Sequence, residues 1–585
     1  MFQVARVISG MADTNNSRLV TGIRLEQGTP QMSSTFCLLL AVLLLGLLVS
    51  CTFADVTSTH ENTVYVRDFG AVPDDGVQDT QAIVNAIAHI KATGKHCLVF
   101  EAGRYDLDES GFKLIDIDDL TLQGAVDAQG KPATRLVRNN DFLANNSSIP
   151  YMLETRNCNR LTLRNLLLDN DPQYATAGEV VSVTGDTVTV RVFESLPRVD
   201  GGAYCMNAWD MTTRRLKHQP SVTFGKDVKN NLQELSWHTI GSDADRLMQM
   251  TSSSVASQLS VGDGVSWHAG FNGYQMLMSD CDDLVLSNIW TVNAVGFAMC
   301  ALRCNNITAD NVVVRADGEQ LAVGPRDGWK LYACTGKVVI SNMFIEGVRW
   351  DGQNVHGSFL RVEEKLAPNR LVCFKKWSTL QPIAIDSVIS FWNGKFSVDR
   401  TVTASEAVTV GNTVRFDLTF SEDVPDFTTQ GTMATVWAWD IGHYELKNCT
   451  FQKIAGSASI LRNSHALIED CTFDNIMYPA FFIGASISEG EGMFPRDVTA
   501  RHSTFIDCGW EARQGIKGMV AGNTLGNNLP MMGRIRIEDC IFRDAALGIN
   551  LFGTQNVELI NNQFQNVETP YQIDPVSVVH SQVTP

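Results

Sequence analysis

Asp327 and Asp351 stand 24 residues apart in a stretch, 326–366, whose side chains suit acid–base work and the holding of hydroxyl groups. The stretch reads Asp327-Gly-Trp-Lys-Leu-Tyr-Ala-Cys334-Thr-Gly336-Lys337, then Trp350-Asp351-Gly-Gln-Asn354-Val355-His356-Gly357, then Leu360-Arg361-Val362 and Glu364-Lys365-Leu366. A spacing of 24 is close to one coil of a parallel β-helix, which would set the two carboxylates on adjacent rungs, ~4.8 Å apart. Carboxylates that near share a water and raise one another's pKa, the arrangement of a base that activates water. Asn354 and His356 supply polar groups for hydroxyls, and Trp350 a flat ring for stacking. No Cys-x-x-Cys or Cys/His cluster with zinc spacing accompanies them, so no metal is expected. Two further pairs, Asp118-Asp119 and Asp282-Asp283, precede strands at coil corners and read as solvated turn residues.

A short pattern positions these residues: apolar-x-apolar-x-Asn/Asp/His-x-x-apolar. It occurs as Leu161, Leu163, Asn165, Leu168; as Leu284, Leu286, Asn288; as Ile307, Ala309, Asn311, Val314; as Val338, Ile340, Asn342, Ile345; and as Tyr444, Leu446, Asn448, Phe451. Later copies centre on Asp470, His502, Asp539 and Asn561, each with a Phe three residues on. Intervals of 22 to 37 residues suit a parallel β-helix with one repeat per coil and loops at the corners. Alternate apolar residues point inward, and the polar residue serves the bend. Seven cysteines keep the same register, and read as small buried residues on successive rungs.

Two gaps break the repeat, one of 123 residues after Asn165 and one of 106 after Asn342. Both contain alternating strands and read as small β modules at coil corners. The expected organisation is a leader and signal (1–54), an N-terminal cap with first coils (55–176), an inserted module (177–265) and central coils with the candidate site (266–357). A second module (358–433), C-terminal coils (434–570) and a tail (571–585) follow. Residues 79–94 read as an amphipathic helix, capped by Asp79, with Ile83, Ile87 and Ile90 on one face and Gly94 as its stop.

Phe36 to Val49 is an uncharged apolar run followed by Thr52-Phe53-Ala54, a small-x-small cleavage pattern. It reads as a secretory signal cut after Ala54, with a membrane anchor through 36–54 as the alternative and Met1 or Met32 as the start. Asn145, Asn146, Asn306 and Asn448 head Asn-x-Ser/Thr triplets, the glycosylation candidates of a secreted chain. A formal net charge of −18 over 585 residues excludes nucleic-acid binding by charge, and nothing past the signal segment implies a membrane. An uncharged polar ligand is expected.

The entry segment Val64-Tyr-Val-Arg-Asp-Phe-Gly-Ala, with the helix after it, resembles that of pectate-lyase-like right-handed β-helix proteins, where the helix caps the open end. The stretch 326–366 resembles glycoside hydrolase family 110, the secreted exo-acting α-1,3-galactosidases, through its Asn-Val-His-Gly box followed by Leu-Arg-Val and Glu-Lys-Leu. The likeness loosely extends to 485–498, with Glu491 the counterpart of a family Glu. It implies an all-β right-handed parallel β-helix and an inverting hydrolase without metal or other cofactor. The partner is a glycan ending in galactose, Asp327 and Asp351 act as base, and Asn354, His356, Trp350 and Glu491 bind substrate.

The family carries two consecutive Asp before the box, where this chain has Trp350-Asp351. The lost position is the one assigned to the general acid, and Glu346, Asp317, Glu319 and Glu363 are equal substitutes in sequence. Three readings stay open: a galactosidase-like enzyme, a glycan-binding relative that kept the pocket and lost turnover, or, third, a structural surface protein using only the solenoid.

Overall fold

The computed structural model describes residues 62–139, 151–218, 235–268, 273–375, 381–394, 397–410, 413–523 and 529–584. The signal segment, Cys37, Cys51, Asn145 and Asn146 lie outside the described residues. The fold is all-β, as the residue pattern implies. Strands one coil apart pair in parallel: Thr162–Asp171 with Asp282–Thr291, that with Asn305–Val314, and that with Thr335–Ser341. The series runs on through Ile441–Lys447, His465–Glu469, Asp497–Arg501, Met532–Glu538 and Thr554–Ile560.

Backbone geometry explains the repeated polar residue. Asn165, Asn288, Asn311, Asn342, Asn448, Asp470, His502, Asp539 and Asn561 all have φ between 50° and 60°. Short polar side chains tolerate this left-handed bend at less cost than β-branched ones. Several of them bond from coil to coil: Asn288 Nδ2 donates to Asn165 Oδ1 at 3.0 Å, and Asn311 Nδ2 to Asn288 Oδ1 at 2.9 Å. Inside, the Phe residues that follow the later copies form one ladder, Phe451, Phe473, Phe505, Phe542 and Phe564, with ring centroids 4.7–5.4 Å apart. The twelve described cysteines are free thiols, and all but the half-buried Cys97 are buried.

Helix α1, Thr80–Thr93, buries Ile83, Ile87 and Ile90 and ends at Gly94 with φ 65°. The expected Asp79 cap does not form. Its carboxylate instead accepts the N–H groups of Val72 and Asp106, both at 3.0 Å, because the chain on either side folds back over it.

Two antiparallel sheets accompany the coils. One has eight strands drawn from Ala175 to His268 and its own core, in which Trp237 and Trp267 stack at 4.4 Å. The other grows from the long strand Gln353–Ala367. That strand pairs in parallel with Trp329–Tyr332 and Ser459–Arg462 at its start, then antiparallel with Arg370–Lys375 and Met433–Val436. The Asn354–His356 box therefore lies on the coil just before the chain leaves it.

Candidate active site

The box is positioned by register. Lys330, Asn354, Ile460 and Phe482 occupy one row across four successive coils, and Tyr332, His356 and Arg462 the row two residues on. Leu331, Val355 and Leu461 alternate with them and fill the core. Asp327 and Asp351 each stand two residues before their strand. Gly328 N donates to the Asp351 carbonyl and Trp329 N to the Gly352 carbonyl, both at 2.9 Å, so the two Asp hold equivalent places on adjacent coils. Gly352 makes this corner possible, since a Cβ there would lie 2.5 Å from the Ala458 carbonyl oxygen.

The two carboxyl groups have different surroundings. Asp351 is fully buried; Arg513 Nη1 donates to its Oδ1 at 2.6 Å and Nη2 to its Oδ2 at 3.2 Å, and Ser457 N donates to Oδ1 at 2.9 Å. Asp327 is 2% exposed, and its Oδ1 has no hydrogen-bond partner among the described residues. Burial, and then the Asp351 charge, push its carboxyl up to about 6 against the pull of Arg326, Lys330 and Arg513. Burial pulls the Lys330 amine down from its ordinary value.

His356 is neutral. Burial, followed by the charges of Lys330 and Arg462, holds its imidazole well below the ordinary value. Its Nδ1 lies 2.9 Å from the Gly357 carbonyl oxygen, which fixes the proton there and leaves Nε2 as an acceptor. That Nε2 has no hydrogen-bond partner among the described residues. The ring stacks on Tyr332 at 4.8 Å, and the Tyr332 hydroxyl lies 3.0 Å from Ser358 Oγ. Asn354 Oδ1 is likewise buried without a partner among the described residues.

Glu491 reaches this end of the row because the short strand Glu491–Gly492 pairs antiparallel with Gly357–Ser358. It forms an ion pair with Arg462 and lies 3.7 Å from His356 Nε2. The structure thus gathers Asp327, Asp351, Asn354 and His356 on one side of adjacent coils, with Glu491 beside His356.

Trp350 is spent differently from the stacking platform expected of it. It meets Tyr478 edge-on at 5.7 Å, and the Arg513 guanidinium lies over its ring at 4.8 Å. The four substitute acids are engaged elsewhere: Glu346 with Lys453, Asp317 with Arg135, Glu319 with Ser195 and Glu363 with Arg415. Asn306 and Asn448 turn their amides to Asp283 and Asn342 of the preceding coil.

Sequence reasoning missed Arg513, Arg462, Lys330 and Tyr332. Lys330 and Tyr332 lay inside the stretch 326–366, and the 24-residue spacing of Asp327 and Asp351 would have put them beside Asn354 and His356. Arg462 shares the His356 register but needs the coil count across the second gap. Arg513 follows Trp510 in a corner loop that carries no repeat, so nothing in the sequence pointed to it.

A family model described as "Right handed beta helix region" matches residues 434–579. Alpha-1,3-galactosidase A of Bacteroides fragilis is 22% identical over 84% of this chain and 85% of its own length. Alpha-1,3-galactosidase A of Shewanella woodyi is 21% identical over 89% of each chain. Among solved structures, the A-module of mannuronan C-5 epimerase AlgE6 from Azotobacter vinelandii aligns with 89% of this chain and 99% of its own at 10% identity, with a TM-score of 0.42. The chain thus carries a right-handed β-helix region by similarity at 434–579, and over most of its length it is similar to proteins named alpha-1,3-galactosidase.

Proposed function

We propose that the chain is a secreted glycoside hydrolase that removes terminal α-linked galactose from glycans with inversion. Asp327 and Asp351 activate the attacking water, and Asn354, His356 and Glu491 hold sugar hydroxyls. The observation that carries this reading is the Asp327 carboxyl, with one oxygen unpartnered among the described residues, beside the Arg513-bound Asp351 on adjacent coils. Unequal surroundings separate two carboxyl groups into different roles. Asp351, spanned by Arg513, is the fixed charge, and Asp327 is the group whose proton moves. The galactosidase relatives supply the substrate class. Secretion rests on the apolar run Phe36 to Val49. The same reading takes the paired coils as a right-handed solenoid capped by α1, with the two antiparallel sheets as modules inserted at its corners.

Departure of the leaving group is the weak step. Trp350 stands where the resembling family has Asp, and the four substitute acids are bound elsewhere. A missing general acid costs ~10²–10⁴-fold on an unactivated leaving group and little on fluoride, which departs without a proton. The test is hydrolysis of α-galactosyl fluoride and of an α-1,3-linked galactoside, with NMR of the first sugar released. Cleavage of the fluoride well ahead of the galactoside, with β-galactose appearing first, is the expected result; α-galactose first would overturn inversion.

The complete burial of Asp351 and its closed pair with Arg513 favour one other reading, a glycan-binding protein without turnover. Saturable galactoside binding with neither compound cleaved would establish it.

A further inference from the structure

We propose that a second site, in a cavity of about 220 Å³ where the eight-stranded sheet meets the coils, binds an oxyanion of the sulfate or phosphate type. Trp209 and Arg214 line it from the sheet, Arg315 and Gln320 from the loop after Asn305–Val314, and Glu346 and Lys453 from the coils. This inference does not rest on the galactosidase reading.

Charge is the first argument. The lining brings Arg214, Arg315 and Lys453 together in a chain whose net charge is −18, and Glu346 is the acid among them. Glu346 Oε1 accepts from Lys453 Nζ at 2.7 Å and from Gln452 Nε2 at 3.0 Å, so it offsets one cation and leaves two. The two acids of the same loop point to other partners. Asp317 Oδ2 lies 3.8 Å from Arg135, and Glu319 Oε2 accepts both the N–H and the hydroxyl of Ser195.

Hydrogen bonding is the second. Gln320 is 2% exposed, and its Nε2 has no partner among the described residues. A buried donor without an acceptor is costly, and an oxygen-rich ligand supplies the acceptor. Arg214 Nη2 donates to the Gln320 carbonyl at 2.8 Å, which fixes its guanidinium beside that amide. Arg315 spends its Nε–H on the Ala316 carbonyl at 3.3 Å, with no other side-chain bond among the described residues. Guanidinium forks matched to a tetrahedral anion give charge-assisted bonds that a neutral hydroxyl does not. Glu346 ends the strand Phe344–Glu346 five residues before Asp351, so the cavity lies one chain corner from the carboxylates. The oxyanion is either a free ion or an ester carried by a glycan.

Calorimetric titration of the whole chain with sodium sulfate and sodium phosphate tests the site, with sodium chloride as control. Saturable binding is expected, weakened at least about tenfold by Arg315→Ala and by the near-isosteric Gln320→Glu, and only partly restored by Arg315→Lys, which keeps the charge without the fork. A sulfated galactoside that binds tighter than inorganic sulfate, in the wild type but not in Arg315→Ala, identifies a glycan ester; equal affinities identify the free ion. No saturable binding by the wild type, or affinities unchanged in Arg315→Ala and Gln320→Glu, overturns the proposal. Hydrolysis of galactosyl fluoride, expected to be unaltered in Arg315→Ala, is read separately and keeps the two proposals apart.

Discussion

Arg513 grips both oxygens of Asp351 from 162 residues away in the chain, with its guanidinium laid over the Trp350 ring next door. The pair closes three coils onto one another, because Ser457 N also donates to that carboxylate. It places the Asp351 carboxylate beside Asp327.

Removing one member of such a pair leaves the other buried and uncompensated. Arg513→Gln should lower unfolding stability by about 3–5 kcal/mol, read from urea denaturation. The double variant Arg513→Gln/Asp351→Asn should recover part of that loss, since it removes the stranded charge. If the single variant unfolds at the wild-type urea concentration, the pair is not holding the coils together.

Asp327 contributes a pH dependence. Its carboxyl titrates near 3.8 when unfolded and at about 6 in the folded chain, chiefly through burial. Between these values the native state holds a proton that the unfolded state has lost. The stability contribution of this group therefore falls as pH rises from about 3.8 to about 6 and is level above. Asp327→Asn should flatten that slope. If the ionised form is the base, hydrolysis of galactosyl fluoride should fall about tenfold per pH unit below about pH 6. A rate that holds steady down to about pH 4 would remove Asp327 from the role of base.

The coil-to-coil ladder makes a prediction that separates backbone from side chain. Asn288 has φ 56°, donates to Asn165 and to the Gly130 carbonyl, and accepts from Asn311 and from Trp290 Nε1. Asn288→Ala loses these bonds and also forces a Cβ into the left-handed region, for a total of about 2–4 kcal/mol. Asn288→Gly loses the bonds alone and should unfold at a higher urea concentration than the Ala variant. Equal losses would mean that the bend imposes no restriction on residue type.

This restriction is why so much of the fold is legible in the sequence. A left-handed bend admits few residue types, so the same Asn, Asp or His recurs at each corner and marks the coils. The Phe three residues later is legible for the matching reason, since one ring must stack on the next. The site was half legible. Asp327, Asp351, Asn354 and His356 lie on two adjacent coils, so chain spacing translates into neighbourhood. Arg462 and Arg513 arrive from later coils across an irregular insertion, where spacing no longer measures distance. The type of Trp350 points to stacking, but what stacks on it is a guanidinium that only the folded chain brings there.

The His356 imidazole is held well below its ordinary value by burial and by the Lys330 and Arg462 charges, which favours its neutral form. On the proposed function, with Nδ1 committed to the Gly357 carbonyl, Nε2 is the atom that accepts from a sugar hydroxyl, and the imidazole takes no part in moving the water's proton. His356→Gln should therefore raise KM for galactosyl fluoride by about tenfold or more, the worth of one well-placed hydrogen bond. The pH at which the rate is half-maximal should stay where Asp327 sets it. Steady-state kinetics from about pH 4 to about pH 8 read both quantities together. Displacement of the acid limb in the His356 variant, with KM unchanged, would make the imidazole rather than Asp327 the titrating group.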